Sequence, residues 1–217
     1  EVLSVFSAAR AVPGKPALIF ADRTRTFGEL GSRVTNAAAW LREWGVAPGE
    51  RVAFRATATP AAMLALFAIP AASGTAVPLH PRFTAEDATL AVAAVAPCRV
   101  LEDRDLAAML RASGAARGLA APRVPPRASG HPWAVLFTSG TSGRPKGIAL
   151  PARALVASAQ ASAEVLPCAR RERWLLAMTP AHVGGLSILT RSLLARKTVV
   201  VLERFDAGEV LRAIAKH

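Results

Sequence analysis

Residues 138–147 hold the densest chemistry in the chain. Thr138-Ser139-Gly140-Thr141-Ser142-Gly143-Arg144-Pro145-Lys146-Gly147 places four hydroxyls, three glycines, a proline and a lysine between two apolar runs, 134–137 and 148–150. Glycine lets a backbone turn and approach an anion with no Cβ in the way. Successive backbone N–H groups then converge on phosphate oxygens. Thr138, Ser139, Thr141 and Ser142 each add a hydroxyl donor, and Lys146 adds a full positive charge. The set suits a polyphosphate. It is not a Walker A loop: five residues after Gly140 comes Pro145, and Lys146 is followed by Gly147 rather than Ser or Thr. The competing reading is an ordinary Gly/Ser/Thr hairpin loop.

A second stretch is Thr179-Pro180-Ala181-His182-Val183-Gly184-Gly185-Leu186-Ser187-Ile188. His182 follows an expected strand, and Gly184 and Gly185 allow a ligand to come close. A pocket role is the reading taken for these three, against a buried, hydrogen-bonded histidine with no substrate contact. Arg191 reads as a solvated or helix-face arginine. Cys98 and Cys168 have no metal-ligand spacing and read as small core residues. No metal ligands are assigned.

The elements that must position these groups alternate between strand and helix. Helices are expected at 2–9, 26–44, 60–72, 84–94, 104–112, 151–165, 186–195 and 206–215. Strands are expected at 17–20, 23–26, 51–54, 75–79, 99–101, 134–137, 148–150, 174–178 and 197–202. Thr26 and Glu29 have capping-box spacing, Pro151 suits a first helical residue, and Asp206 suits an N-cap. The Ala-rich stretch 60–72 is apolar almost all round, as a buried helix is. Alternation of this kind predicts an α/β fold with mostly parallel sheets and flanking helices. Residues 113–132, with four prolines and three glycines, read as a linker. They divide the chain into 1–128 and an incomplete second subdomain, 129–217, that carries the loop.

The chain has 217 residues, 52% of them hydrophobic, and a formal net charge of +12. That suffices for a sizeable core. The basic residues are mostly scattered arginines, and there is no tyrosine, so no aromatic–basic nucleic-acid pattern emerges. The longest apolar stretch, 61–69, is too short to span a bilayer. Two cysteines and no visible signal peptide suit a cytoplasmic protein.

Thr138 to Gly147 fills every position of [ST]-S-G-[ST]-[ST]-G-x-P-K-G, and so resembles the loop of the adenylate-forming (AMP-binding, acyl-CoA synthetase) superfamily. Arg25-Thr26-Phe27-Gly28-Glu29-Leu30, Val46-Ala47-Pro48-Gly49-Glu50-Arg51-Val52 and Ala72-Ser73-Gly74-Thr75-Ala76-Val77-Pro78-Leu79 are similar to weaker, packing-related elements of that family, in the same order. The last of these resembles the pattern Ala-Gly-x-x-x-x-Pro-Leu, with Ser73 at the glycine position. The stretch around His182 resembles the family's motif beside the acyl pocket, and looks most like that of o-succinylbenzoate–CoA ligases of menaquinone synthesis. Ala181 departs from the aromatic residue that many relatives carry there.

The resemblance implies ATP, Mg2+ and CoA as substrates and cofactors, with a small-molecule carboxylic acid as the fourth partner. It implies that Thr138, Ser139, Gly140, Thr141, Ser142, Gly143, Lys146 and Gly147 bind nucleotide, that Lys146 serves catalysis, and that His182, Gly184 and Gly185 line the acid site. A homodimer is left open. The alternatives are a ligase for another carboxylic or amino acid, and a non-catalytic nucleotide-binding module. The family's Thr-Glu pair, ribose-binding Asp, hinge and C-terminal lysine have no counterpart before His217. The sequence therefore reads as the N-terminal portion of a longer enzyme, inactive alone.

Overall fold

The computed structural model describes residues 3–96, 98–114, 131–139, 145–166 and 172–217. The fold is mixed α/β with two sheets and flanking helices, and the chain divides into two compact units. The first comprises Glu1–Gly31 and Ala152–His217, the second Ser32–Pro151. These units do not coincide with the expected division of the chain into 1–128 and 129–217. β6 (Ala134–Ser139) pairs with β4 (Thr75–Leu79), so residues 113–132 connect elements of one sheet rather than two subdomains.

In the first unit, α1 (Val5–Ala11) is followed by a hairpin of β1 (Pro16–Ile19) and β2 (Thr24–Thr26). β9 (Val199–Val201) pairs parallel to β1, and β8 (Trp174–Leu176) parallel to β9. Thr198 Oγ1 donates to the Pro16 carbonyl at 2.8 Å and fixes the entry of β9 against β1. α6 (Ala152–Val165) packs against α7 (Val183–Leu194), and Leu155, Leu186, Leu189 and Leu193 are buried. α8 (Ala207–Lys216) is capped by Asp206, whose side chain accepts from the Glu209 N–H. α6 starts one residue after Pro151, and β8 stops at Leu176 rather than Met178.

α2 (Phe27–Glu43) runs from the first unit into the second. Its predicted capping box is present: Thr26 N–H donates to Glu29 Oε2 at 2.8 Å, and Glu29 N–H to Thr26 Oγ1 at 3.2 Å.

The second unit holds the sheet that carries the loop. Its order is β5-β3-β4-β6-β7, with β3 (Arg51–Arg55), β5 (Cys98–Leu101) and β7 (Pro145–Leu150). β5, β3, β4 and β6 are parallel, and only β7 runs antiparallel. Ala53, Val77, Leu79 and Val135 form one core with Ala91 and Val95, at the C-terminal end of α4 (Ala85–Ala94). Val52, Phe54 and Ala76 point to the opposite face and are also buried. No face of β3 or β4 is left to water, which is why these strands read as continuous apolar runs. α3 (Pro60–Ala71) packs on α5 (Asp103–Ser113), and every residue from Ala62 to Ala71 is buried.

The end of α3 joins a local conformation to stability. Gly74 N–H bonds the Ile69 carbonyl at 2.9 Å and Ser73 N–H the Pro70 carbonyl at 3.1 Å. This is a Schellman closure, and its left-handed position is Ser73, at φ 70°. Serine stands there where the pattern Ala-Gly-x-x-x-x-Pro-Leu has glycine. Its Oγ is buried and has no hydrogen-bond partner among the described residues. Both features cost stability. Ser73→Gly removes them together, against the larger unfolded-state entropy of glycine. The expected net gain is ~1 kcal/mol, read as a rise in melting temperature of roughly 2–4 °C. A lower melting temperature would show that the closure does not strain Ser73.

Candidate functional site

β6 and β7 pair in unbroken register from Ala134↔Leu150 to Ser139↔Pro145. The apolar runs on either side of the hydroxyl-rich stretch are therefore the two arms of one hairpin. Thr138 lies opposite Lys146, and directly opposed residues of an antiparallel pair share a face. One hydroxyl and one ammonium thus stand side by side where the hairpin opens into residues 140–144. Both are exposed. Among the described residues Lys146 joins no ion pair, so its charge is available to an anion. Gly140, Thr141, Ser142 and Gly143 lie outside the described residues, as does the side chain of Ser139.

Gly147 faces the other way. It lies opposite Phe137, on the side of the core around α4. A Cβ there would come within 2.6 Å of Val95 Cγ1 and 3.1 Å of Val135 Cγ1, and such approach forces a shift. Gly147 is thus required by packing, whatever else it does, and it sets the position of its neighbour Lys146.

The parallel strands β3, β4 and β6 present their carboxyl ends at one edge, where α/β sheets commonly bind ligands. Sequence reasoning missed several groups there. Arg55, the last residue of β3, donates from Nη1 to the Pro81 carbonyl at 2.8 Å. His80 follows β4, and its Nδ1 accepts from the Arg82 N–H at 3.1 Å. Phe83 lies between the His80 ring, at 5.9 Å, and the Phe137 ring, at 6.3 Å. The available signal was position alone: Arg55 and His80 directly follow the last residue of an expected strand, and Phe83 comes three residues further on.

In the first unit, His182 is the N-cap of α7. The helix begins at Val183, not at 186, because the imidazole supplies the cap: Nδ1 accepts from the Gly184 N–H at 3.1 Å. This uses the Nδ1 lone pair, so the neutral ring carries its proton on Nε2. His182 is exposed, which overturns the buried alternative but leaves its hydrogen bond. Met178 and Val183 beside it are exposed apolar side chains. Ala181 is 7% exposed, so it contributes little open surface. A Cβ on Gly185 would meet the Thr179 carbonyl oxygen at 2.3 Å, and one on Gly184 would meet Met178 Sδ at 2.8 Å. Gly185 is held by packing of the helix start on that carbonyl.

Of the two readings of Arg191, solvated or helix-face, the contacts agree with the helix-face one. Arg191 is half-buried, its guanidinium stacks 5.0 Å from the Trp174 ring centroid, and Nη1 donates to Ser162 Oγ at 2.8 Å. Cys98 is half-buried on β5, and burial pushes its thiol above the ordinary range, which suits packing rather than nucleophilic attack. Cys168 lies outside the described residues. Among the described residues no group of three His, Cys, Asp or Glu is disposed to hold a metal, and no helix is long and apolar enough to cross a membrane.

Lys146 and His182 belong to different units, and each site stands on its own geometry. The chain is 28% identical over 220 residues to the 2-succinylbenzoate–CoA ligase of Bacillus velezensis, covering 96% of this chain and 45% of that protein. It is 30% identical over 238 residues to the indoleacetate–CoA ligase of Aromatoleum aromaticum, covering 94% and 45%. The chain thus spans about half the length of these curated relatives. The fold matches o-succinylbenzoate CoA synthetase from Bacillus subtilis in complex with the acyl-adenylate intermediate OSB-AMP, at a TM-score of 0.84 and 23% identity over 100% of this chain and 60% of that one. The same synthetase in complex with ATP and magnesium ion matches at 0.82, with 23% identity over 98% and 60%. The family model of AMP-binding enzymes matches residues 5–217, and the chain belongs to that family.

Proposed function

We propose that this chain is part of an ATP-dependent acid–CoA ligase, and that the β6–β7 hairpin holds the phosphates of ATP. The observation that carries this is the pairing of Thr138 with Lys146 at the carboxyl edge of the parallel strands. A carboxylate is a poor acyl donor because its leaving group is poor. Attack of the carboxylate oxygen on the α-phosphorus of ATP releases pyrophosphate and gives an acyl-adenylate. The CoA thiol then attacks the acyl carbon, and AMP leaves. The work of the chain is to hold two anions together and to stabilise charge growing on the pyrophosphate, and preorganised donors do this best. Lys146 supplies the charge and Thr138 a hydroxyl, on a hairpin whose register fixes both. The hydroxyls of Ser139, Thr141 and Ser142, with the glycines Gly140 and Gly143, complete the cradle in this proposal. The described residues offer no carboxylate cluster for magnesium, and no step here relies on them to bind it.

The acid we propose is o-succinylbenzoate, in menaquinone synthesis, bound beside His182 with Gly184 and Gly185 shaping the approach. Two findings support it: the likeness of 96% of this chain to 45% of the Bacillus velezensis ligase, and the stretch His182 to Ile188. A second reading, a ligase for another carboxylic acid, is favoured by the equal coverage of the indoleacetate–CoA ligase and by Ala181.

Lys146→Ala separates a phosphate contact from a solvated lysine. A charge-assisted hydrogen bond contributes roughly 1.5–3 kcal/mol, so kcat/KM for ATP should fall about ten- to a hundredfold. A surface lysine without a role stays within ~0.5 kcal/mol, about twofold. The measurement is steady-state kinetics of the protein encoded by the complete gene, with folding checked by circular dichroism. Unchanged kinetics in a folded variant would remove the phosphate contact.

ATP–pyrophosphate exchange tests the reaction and the acid together. The complete protein should exchange with o-succinylbenzoate, and the 217-residue chain alone should not, because it covers about 45% of such ligases. Robust exchange by the chain alone would sink the second expectation. Exchange with another acid but not with o-succinylbenzoate would overturn the substrate and keep the reaction class.

A further inference from the structure

We infer that Arg191 is a positioning residue that orients the His182 ring through Ser187. The inference deepens the proposed function, since it rests on His182 lying beside the acid. Arg191 is anchored at its outer end by the Trp174 ring of β8, 5.0 Å from the centroid, and by Ser162 Oγ of α6 at 2.8 Å. Two more of its N–H groups go to one residue. Nε donates to the Ser187 carbonyl at 3.1 Å and Nη2 to Ser187 Oγ at 3.1 Å. Ser187 Oγ in turn reaches the Val183 carbonyl at 2.8 Å and the Gly184 carbonyl at 3.0 Å. Those two carbonyls belong to the first turn of α7, and the Gly184 N–H is the donor that holds His182 Nδ1 at 3.1 Å. The contacts form one chain: ring and hydroxyl, guanidinium, serine, first-turn backbone, imidazole.

Each link has a physical reason. A guanidinium presents its donors in a rigid fork, so fixing it on Trp174 and Ser162 fixes where its other N–H groups point. A single serine hydroxyl has one proton and cannot donate fully to two carbonyls at once. The Nη2–H donated by Arg191 occupies one Oγ lone pair and turns the hydroxyl proton toward the helix start. The first turn of a helix is otherwise its least constrained part, since its N–H groups lack intrahelical partners. Here it is clamped from within and capped by the imidazole. The ring is thereby held with Nδ1 inward and Nε2–H outward. Met178 Sδ, which lies where a Cβ on Gly184 would fall, bounds the same turn on another side.

The test uses ring nitrogens as a readout that stability alone does not move. In the uniformly 15N-labelled 217-residue chain at alkaline pH, two-bond 1H–15N correlations should show His182 as the Nε2–H form, with an unprotonated Nδ1 shift. Ser187→Ala and Arg191→Met should each move both ring shifts toward the average of the two tautomers, and Arg191→Lys should restore little. Ser187→Ala removes one oxygen, so it keeps the test available if Arg191→Met does not fold. In the protein from the complete gene, the same variants should raise KM for the acid about tenfold and leave KM for ATP unchanged. Unchanged ring shifts in folded Ser187→Ala overturn the relay. Altered ring shifts with unchanged acid KM uphold the relay and overturn the placement of His182 beside the acid.

Discussion

Val95 occupies the space that a side chain on Gly147 would need, and the rest of the hairpin depends on that contact. A Cβ at 2.6 Å from Val95 Cγ1 would push β7 away from α4, or α4 away from the sheet. With no Cβ, β7 lies against the core formed by Ala91, Val95 and Val135, and keeps register with β6 from Ala134 to Ser139. That register puts Lys146 opposite Thr138. The position of one charge is thus set by a methyl group on its other side. Interiors are close-packed and transmit such displacements rather than absorbing them, so the backbone of Lys146 on an edge strand is held in place although the lysine joins no ion pair among the described residues.

Most of the fold was legible because local chemistry and burial agreed. The α3 stretch is apolar all round and is buried all round. Thr26 and Glu29 have capping-box spacing and form the box. Strands β3 and β4 are apolar without alternation and are covered on both faces. The unit boundary was not legible. Pro and Gly in 113–132 read as a linker, but composition does not say which strand the chain joins afterwards. That is decided by the pairing of Ala76 with Ala134 and by Thr75 Oγ1 donating to the Pro132 carbonyl at 2.9 Å, contacts between residues more than fifty apart. The start of α7 was misplaced for a related reason. Two glycines discourage a helix by propensity, yet Gly185 is needed there for its close approach to the Thr179 carbonyl, and the cap is an imidazole rather than a serine or aspartate.

Arg191 shows where side-chain readings from sequence stop short. An arginine between Thr190 and Ser192 has only Ser187, four residues back, as a partner that the sequence could suggest. Its partners, Ser162 and Trp174, come from α6 and β8, and Ser187 is one helical turn back. Long side chains take their roles from whatever the fold brings within reach of their ends, and the apolar stem of arginine packs as well as its head bonds.

Glycine in both site motifs carries a further point. Gly147 and Gly185 each sit next to a chemically suggestive residue or in its turn, and each looks, in sequence, like a residue that lets a ligand approach. In the structure each first lets the protein approach itself, at Val95 and at the Thr179 carbonyl. The two uses are not rivals. A ligand site needs donors held within a fraction of an ångström, and side chains are held that well only when the backbone beneath them is pressed against something rigid. Removing a Cβ on the inner face is the most direct way to press it there. A Gly-rich signature can therefore mark a binding site even where the glycine itself touches no ligand, because the glycine fixes the frame from which lysine or histidine reaches out.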